Sequence, residues 1–293
     1  MKAIILAGGL GTRLYPVTKY ISKQLLPIYD KPMIFYPLTT LMLSGIKDYF
    51  LITSPNYLDS FKHLLGDGKK YGIKITYIEQ KKPDGIPNSF QLVKKYVDNE
   101  PIILILGDNI FYGHNLVGTI QKSIKNVKNI STIFACRVAN PENFGVIEFG
   151  RNYQPKKIVE KPLKPRSNYA ITGLYIYTSD VFNKVEKLNP SSRGETEITD
   201  LNNMYLKEKN LRVEIFKRGI TWFDTGNFDS MLNSSMFINA LEKRQGFKIA
   251  IPEEVAWRKG WIKDSDLENL AKTNKNNLIK NYLLELLKDK NYA

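Results

Sequence analysis

One stretch near the amino terminus decides the fold: Lys2-Ala3-Ile4-Ile5-Leu6-Ala7-Gly8-Gly9-Leu10-Gly11-Thr12-Arg13. Its apolar half is typical of the buried first strand of a parallel α/β sheet, and a glycine turn that ends in a cation follows it. Glycine lets backbone N–H groups approach anionic oxygens, and Arg13 adds a planar fork of donors. Lys23 supplies a second positive charge nearby. We therefore expect this loop to hold a nucleoside triphosphate.

The glycine pattern differs from the two common phosphate-binding signatures. A P-loop has Lys-Ser/Thr directly after its last glycine, and the dinucleotide fingerprint has a third glycine where Leu14 stands here. Taken alone, the loop also fits a strand–turn–helix connection without a ligand.

Composition narrows the class of protein. The 293 residues suffice for one large domain or a domain with an appended module, and 43% hydrophobic with 25% charged residues is typical of a soluble globular protein. The single cysteine, Cys136, lies in an apolar stretch that indicates an inert core thiol, and it excludes an internal disulfide. The amino terminus is typical of a folding strand rather than a signal peptide. We expect a cytoplasmic protein.

The formal charge of +14 raises the question of a nucleic-acid partner. The lysines are scattered along the chain, and neither an arginine-rich arm nor a zinc-finger spacing accompanies them. No apolar run approaches the ~18 residues of a membrane span. We expect neither nucleic-acid nor membrane binding, and the excess charge favours small polyanionic substrates.

Apolar strands alternate with helical segments in the first half of the chain, which predicts a parallel sheet with ligands at the carboxyl ends of its strands. The predicted strands there are Ile4–Ala7, Tyr49–Ile52, Ile73–Ile78 and Ile102–Gly107, and the predicted helices are Met33–Ser44, Tyr57–Leu65 and Ser89–Val97. The second half mixes strands (Thr132–Val138, Gly145–Phe149, Lys157–Glu160, Ala170–Tyr177, Val213–Phe216, Thr221–Phe223) with helices (Ser179–Lys187, Glu197–Lys207, Phe228–Gln245). The predicted fold is α/β, with a Rossmann-like, mostly parallel mixed sheet flanked by helices.

The chain becomes polar and helical from about Glu253 onwards. Asp264–Ala271 predicts one short helix, and an apolar stripe on another consists of Leu278, Ile279, Tyr282, Leu283, Leu286 and Leu287. Internal repeats are absent from the sequence. We predict a catalytic domain over residues 1–250 and a helical carboxyl-terminal extension over residues 251–293 that packs on it.

Two aspartates follow predicted strands. Asp108 comes after Ile102–Gly107, and Asp224 ends Trp222-Phe223-Asp224 before a glycine. A carboxylate at such a strand end is a hard oxygen ligand of the kind that suits Mg²⁺ together with substrate phosphates. Taken singly, each aspartate also fits a helix N-cap or a turn.

Several motifs, in order along the whole chain, resemble those of the sugar nucleotidyltransferases. They are Gly8-Gly9-Leu10-Gly11-Thr12-Arg13-Leu14, Ser22-Lys23-Gln24-Leu25-Leu26-Pro27, Asn143-Phe144-Gly145-Val146, Glu160-Lys161-Pro162 and Arg193-Gly194-Glu195-x-Glu197-Ile198-Thr199-Asp200. The resemblance is strongest to members that join dTTP and glucose 1-phosphate into dTDP-glucose and release pyrophosphate, which feeds deoxysugar or surface-polysaccharide synthesis.

The resemblance also implies roles for individual residues. It makes Arg13, Lys23, Asp108 and Asp224 catalytic, with the two aspartates as the Mg²⁺ ligands. It implies nucleotide contacts for Leu6, Gly8, Gly9, Gly11, Thr12, Arg13, Gln24, Gln80, Pro83, Gly85 and Asp108. It implies sugar-phosphate contacts for Asn109, Gly145, Glu160, Lys161, Thr172, Tyr175, Arg193 and Trp222.

The expected chemistry is direct in-line attack by the sugar phosphate on the α-phosphorus. A phosphate monoester with a second pKa near 6 is mostly dianionic at neutral pH, so no general base is required. A chain with only two histidines, His63 and His114, fits this expectation.

The sequence departs from the family pattern at Pro87-Asn88, next to the segment that should read the base. Thymine differs from uracil by one methyl group, which is worth ~1–3 kcal/mol in a pocket, so UTP stays open as a substrate. Another hexose 1-phosphate is a further alternative. A catalytically silent nucleotide-sugar sensor is the alternative from another class, although a pure binder has little need of both aspartates.

The carboxyl-terminal segment resembles that of longer family members, whose final helices support tetramers and a second, regulatory nucleotide site. The resemblance implies a homotetramer inhibited by a dTDP-deoxysugar such as dTDP-rhamnose. The residues implied for that site are Tyr112, Gly113, His114, Arg218, Gly219, Glu254, Val255 and Arg258.

Overall fold

The computed structural model describes residues 1–191 and 194–288. Its strands are β1 Lys2–Ala7, β2 Pro27–Ile28, β3 Lys31–Pro32, β4 Asp48–Thr53, β5 Lys74–Glu79, β6 Ile102–Leu106, β7 Asn109–Gly113, β8 Ser131–Arg137, β9 Gly145–Phe149, β10 Pro155–Glu160, β11 Tyr169–Tyr177, β12 Leu211–Ile215 and β13 Ile220–Asp224. Its α-helices are α1 Phe35–Leu43, α2 Leu58–Leu65, α3 Asn88–Val93, α4 Leu116–Asn126, α5 Val181–Val185, α6 Ile198–Lys207, α7 Phe228–Gln245, α8 Pro252–Arg258, α9 Asp264–Thr273 and α10 Asn277–Lys288.

The central element is a nine-stranded mixed sheet. Strands β5, β4, β1 and β6 are parallel in that order, and the antiparallel β11 joins them to β8, β9 and, through these, to β12 and β10. Two small antiparallel sheets, β2–β3 and β7–β13, stand apart from it. The predicted α/β class with a mixed sheet flanked by helices is confirmed.

Strand β1 is buried on both faces of this sheet, as its unbroken apolar run predicts. Ala3, Ile5 and Ala7 pack into the hydrophobic cluster on one face, and Ile4 packs into the cluster on the other. Because successive side chains point to opposite faces of the sheet, a strand that alternated apolar and polar residues would have placed apolar side chains on one face only.

The strand register places the functional segments at one edge of the sheet. Leu6 pairs with Leu106 of β6, Ala7 pairs with Thr53 of β4, and Thr53 pairs with Glu79 of β5. The residues that follow β1, β5 and β6 therefore lie side by side at the carboxyl ends of the parallel strands, where α/β sheets bind ligands.

The short strands β2 and β3, strand β7 and helix α4 were not predicted from the sequence. Strand β7 begins directly after Asp108, where no element was predicted, and it pairs with β13 rather than with the main sheet. Helix α4 buries Leu116, Ile120 and Ser123 but exposes its lysines. Helix α3 begins at Asn88 directly after Pro87, so proline is tolerated at that helix start as expected.

The segment after α7 is bound to the rest of the fold by two features. Val255 and Ala256 of α8 belong to the same hydrophobic cluster as the first face of the sheet. A buried ion network also joins the β2–β3 hairpin to the end of α7. The Glu242 carboxylate forms ion pairs with Lys31 at 3.1 Å and with Lys248 at 2.6 Å. Within the described ranges, none of the helices is both long and apolar enough to cross a bilayer.

Candidate active site

The first cavity at this edge, of about 380 Å³, collects most of the predicted nucleotide contacts. Its lining includes the residues predicted from the glycine loop and from the segment after β5: Leu6, Gly8, Gly9, Gly11, Thr12, Gln80, Pro83 and Gly85. Leu10, Ile86 and Glu195 complete it, and none of the three was predicted as a nucleotide contact. The cavity thus has a backbone floor at the end of β1 and a side wall at the end of β5.

Gln80 lies directly over Gly8. A Cβ atom built on Gly8 would lie 2.2 Å from Gln80 Oε1, so only glycine at this position leaves room for the Gln80 amide. Gln80 is buried, with 5% of its surface exposed, and its backbone N–H donates to Thr53 O at 2.8 Å. An amide with a donor and an acceptor is therefore held against the glycine loop.

Asp108 and Asp224 are brought together by β7 and β13. Asp224 pairs in register with Asn109, and the Thr225 hydroxyl donates to Asp108 O at 2.7 Å. Lys23 Nζ lies 2.6 Å from Asp108 Oδ2. Both aspartates line a second cavity, of about 230 Å³, together with Arg13.

The two carboxyl groups have opposite pKa shifts. Burial raises the pKa of Asp108. The charge and the hydrogen bond of Lys23 lower it by more, so that the pKa lies below its ordinary value. Burial, followed by the negative charge of Asp108, raises the pKa of Asp224 to about 6, although Lys23, Arg13 and Lys161 oppose the shift. The nearby cations therefore do not fully balance the negative charge of the two carboxylates.

These residues fit a divalent cation. Two carboxylates at adjacent strand ends, one of them with a pKa raised by burial and then by the charge of the other, are hard oxygen donors with negative charge to neutralise. Among the described residues, no group of three or more His, Cys, Asp or Glu side chains could hold a metal ion. A cation held here would consequently take its other ligands from substrate and water.

Arg13 reaches the same place from the glycine loop. A Cβ on Gly226 would lie 2.9 Å from its Nη2 atom, so the guanidinium rests against the backbone that follows Asp224. Arg13 thus stands between the loop that begins at Gly8 and the carboxylate pair.

The second cavity also collects the predicted sugar-phosphate contacts that the structure describes. They are Asn109, Gly145, Glu160, Lys161, Thr172, Tyr175 and Trp222. Ile86 lines both cavities, so the two adjoin. Arg193, the remaining predicted sugar-phosphate contact, lies outside the described residues.

Both polar atoms of the Asn109 side chain form hydrogen bonds with protein neighbours. Its Nδ2 donates to Asp108 Oδ1 at 3.0 Å, and its Oδ1 accepts from the Gly173 N–H at 2.9 Å and from Trp222 Nε1 at 2.6 Å. The side chain is buried, with 1% exposed. These contacts favour a role in orienting Asp108 and Trp222 alongside the predicted sugar contact.

Hydrogen bonds also orient other side chains around this cavity. The Thr199 hydroxyl donates to Glu160 Oε2 at 2.6 Å, which orients that carboxylate. The Thr172 hydroxyl donates to Phe134 O at 3.0 Å, so it is engaged within the sheet. Burial and then the charges of Glu160 and Asp224 raise the pKa of Tyr175, which keeps its hydroxyl protonated.

A third cavity, of about 520 Å³, lies away from both. It brings together most of the residues predicted for a regulatory site: Tyr112, Gly113, His114, Glu254, Val255 and Arg258. Gly219 packs its backbone against Gly113, and the exposed Arg218 precedes it, but neither lines this cavity.

Gln24 does not line either active-site cavity. Its Oε1 accepts from the Ser22 hydroxyl at 2.7 Å, and its Cγ packs against Gly107. Conversely, Thr199 and Asn202 line the second cavity and were not singled out as site residues. Their spacing of three on a helix that begins at Ile198 is the signal that could have found them, because such residues share a face.

Comparison with known proteins agrees with this geometry. Residues 2–240 match the family model described as nucleotidyl transferase. The chain is 49% identical over 288 residues to the glucose-1-phosphate thymidylyltransferase of Neisseria meningitidis, covering 98% of this chain and 100% of that one. It is 51% identical over 287 residues to the enzyme of the same name from Mycobacterium tuberculosis, covering 98% and 99%.

A solved structure from Bacillus anthracis gives the same result. It was assigned as a glucose-1-phosphate thymidylyltransferase and solved in complex with sucrose. It superposes with a TM-score of 0.75 at 38% identity and covers 81% of this chain and 94% of that one. The chain therefore belongs to the nucleotidyl transferase family of enzymes.

Proposed function

We propose that this enzyme joins dTTP and glucose 1-phosphate in the cytoplasm, giving dTDP-glucose and pyrophosphate. One observation carries the proposal: a glycine-floored cavity with Gln80 in its wall adjoins a second cavity with Glu160 and Lys161, and the second contains Arg13 and two aspartates. The names of the relatives support the choice of both substrates.

In the proposed reaction, the phosphate of the sugar attacks the α-phosphorus in line and pyrophosphate leaves. Lys161 binds the sugar phosphate, Glu160 accepts from sugar hydroxyls, and Arg13 with Lys23 balances the charge of the triphosphate. Asp108 and Asp224 would hold Mg²⁺, which would neutralise the repulsion between the two anionic substrates. His63 is exposed on α2 and His114 lines the third cavity, in keeping with a reaction that needs no general base.

The test is pyrophosphate release by the purified protein with glucose 1-phosphate, Mg²⁺ and each of dTTP, UTP, CTP, ATP and GTP in turn. We expect the highest kcat/KM with dTTP. Equal rates with dTTP and UTP would favour a bispecific enzyme and give Pro87-Asn88 a role in base selection. Release with another hexose 1-phosphate alone would change the sugar, and no release with any combination would favour the silent sensor.

The third cavity supports a regulatory site in addition. Tyr112 and His114 from the region of β7 face Glu254 and Arg258 of α8 across about 520 Å³, which is room for a nucleotide sugar. We propose that a dTDP-deoxysugar such as dTDP-rhamnose inhibits the enzyme there, in a homotetramer. Inhibition that is non-competitive with dTTP, and lost in Arg258→Ala, would support this, and light scattering reports the oligomeric state.

A further inference from the structure

Asn202 is a buried polar residue in the wall of the second cavity. It lies on α6 with none of its surface exposed, and it shares the cavity-lining face of that helix with Ile198 and Thr199. Its hydrogen bond in the described structure is to Tyr177 rather than to the glycine loop or the carboxylate pair.

The Asn202 amide is only half engaged. Its Oδ1 accepts from the Tyr177 hydroxyl at 2.5 Å, whereas its buried Nδ2 has no hydrogen-bond partner in the described structure. Rotating the amide by half a turn would exchange the two ends, but one hydroxyl still engages only one of them. One end of the amide therefore needs a partner that these protein contacts do not supply.

Buried side-chain polar atoms without a hydrogen-bond partner are few in the described ranges, and Asn202 differs from the others in its position. The others are Ser54 Oγ and Thr132 Oγ1, and neither residue lines the second cavity. A buried donor without a partner is costly, and native proteins satisfy nearly all of them. The position of Asn202 on a substrate-sized cavity points to a ligand as the partner.

The amide is also held in place. Tyr177 has none of its surface exposed, and its ring stacks on Tyr205 at 5.3 Å between centroids. The Tyr205 hydroxyl in turn donates to Asp180 Oδ1 at 2.8 Å. Because this chain of contacts restrains the Tyr177 hydroxyl, the amide that receives it is oriented before any substrate arrives.

We propose that Asn202 is a specificity-determining residue that donates a hydrogen bond from Nδ2 to one hydroxyl of the hexose. The inference rests on the proposed function. The same cavity already holds a hydrogen-bond acceptor, the Glu160 carboxylate that Thr199 orients, and Asn202 would add a donor to it. A hydroxyl both donates and accepts, so a fixed acceptor with a fixed donor reads the hydroxyl pattern of a sugar better than either alone. A site built in this way discriminates against analogues that lack the hydroxyl.

The experiment couples the side chain to the substrate hydroxyl. Steady-state kinetics of wild type and Asn202→Leu, which keeps the approximate shape and removes both polar ends, are measured with glucose 1-phosphate and its 2-, 3-, 4- and 6-deoxy analogues. We expect wild type to lose about tenfold or more in kcat/KM with one analogue, and Asn202→Leu to lose a similar factor with glucose 1-phosphate. That analogue should then carry no further penalty in the variant, and the KM for dTTP should not change.

Two further variants control for folding. Asn202→Ser, which is smaller and polar, replaces the leucine variant if the latter does not fold by circular dichroism. Thr132→Val removes an unpaired buried hydroxyl outside the cavity and should leave all kinetic constants unchanged. Identical deoxy-sugar penalties in wild type and in the Asn202 variant would overturn the inference, and so would a parallel rise in the KM for dTTP. Absence of turnover by wild type with every sugar phosphate would instead overturn the proposed function.

Discussion

Replacement of Gly8 by alanine tests the contact between the glycine loop and Gln80. A Cβ atom on Gly8 would lie 2.2 Å from Gln80 Oε1 and 3.2 Å from its Cδ, so the amide has to move. The obstructed atoms are the far end of a flexible side chain rather than backbone. We therefore expect the fold to accommodate Gly8→Ala while the Gln80 amide leaves its position over the glycine loop.

The size of the effect follows from the contacts that the Gln80 amide can make. One donor and one acceptor pairing with a pyrimidine edge are worth about 0.5–1.5 kcal/mol each, or about 1–3 kcal/mol together. This corresponds to a fall of roughly 5- to 150-fold in kcat/KM for dTTP. The free energy of unfolding should change by less than about 1 kcal/mol, because no core contact is lost.

Gly9→Ala is the matched control, since a Cβ on Gly9 meets nothing within 4 Å. Pyrophosphate release is measured for both variants with dTTP varied at saturating glucose 1-phosphate, and again with CTP. We expect Gly8→Ala to lower the preference for dTTP over CTP and Gly9→Ala to leave it unchanged. If the two variants behave alike, or if Gly8→Ala keeps the wild-type preference, Gln80 does not read the base.

Three further substitutions test other parts of the structure. Asp108→Asn should lower kcat by about 100-fold or more with the fold intact by circular dichroism, because the carboxylate pair loses a charge; near-normal turnover would contradict the assigned role. Trp222→Phe should raise the KM for glucose 1-phosphate severalfold and leave that for dTTP unchanged, because Asn109 loses the donor at 2.6 Å; equal changes in both would contradict it. Glu242→Gln should cost about 3 kcal/mol in urea unfolding, because Lys31 and Lys248 lose the buried carboxylate that they share and retain Asp30; a loss below about 1 kcal/mol would argue against this.

The parallel half of the fold could be predicted because its signals are local. An apolar run such as Ile4–Ala7 has to be buried on both faces, and the residues that end such strands meet at one edge whatever their distance along the chain. Asp108 and Gln80 could therefore be placed from sequence. The domain boundary near residue 250 stays a prediction.

The features that sequence did not predict depend on tertiary contacts. Strand β7 is short and begins with the polar Asn109, and only its pairing with β13 makes it a strand. The unpaired end of the Asn202 amide depends on the position of a tyrosine far away in the sequence. Helix α4 is marginal by propensity, and its burial against the core stabilises it.

The buried ion network has a consequence for how this enzyme can be divided. The match to the family model ends at residue 240, yet Glu242 and Lys248 lie beyond that point and close a network with Asp30 and Lys31. A gene cut at residue 240 would thus remove Glu242, one of the two carboxylates that pair with Lys31, and strip α8 from the main core. The stretch that matches the family model is thus shorter than the stretch that the ion network and the core hold together, and a truncated protein ending at residue 240 should be insoluble or inactive.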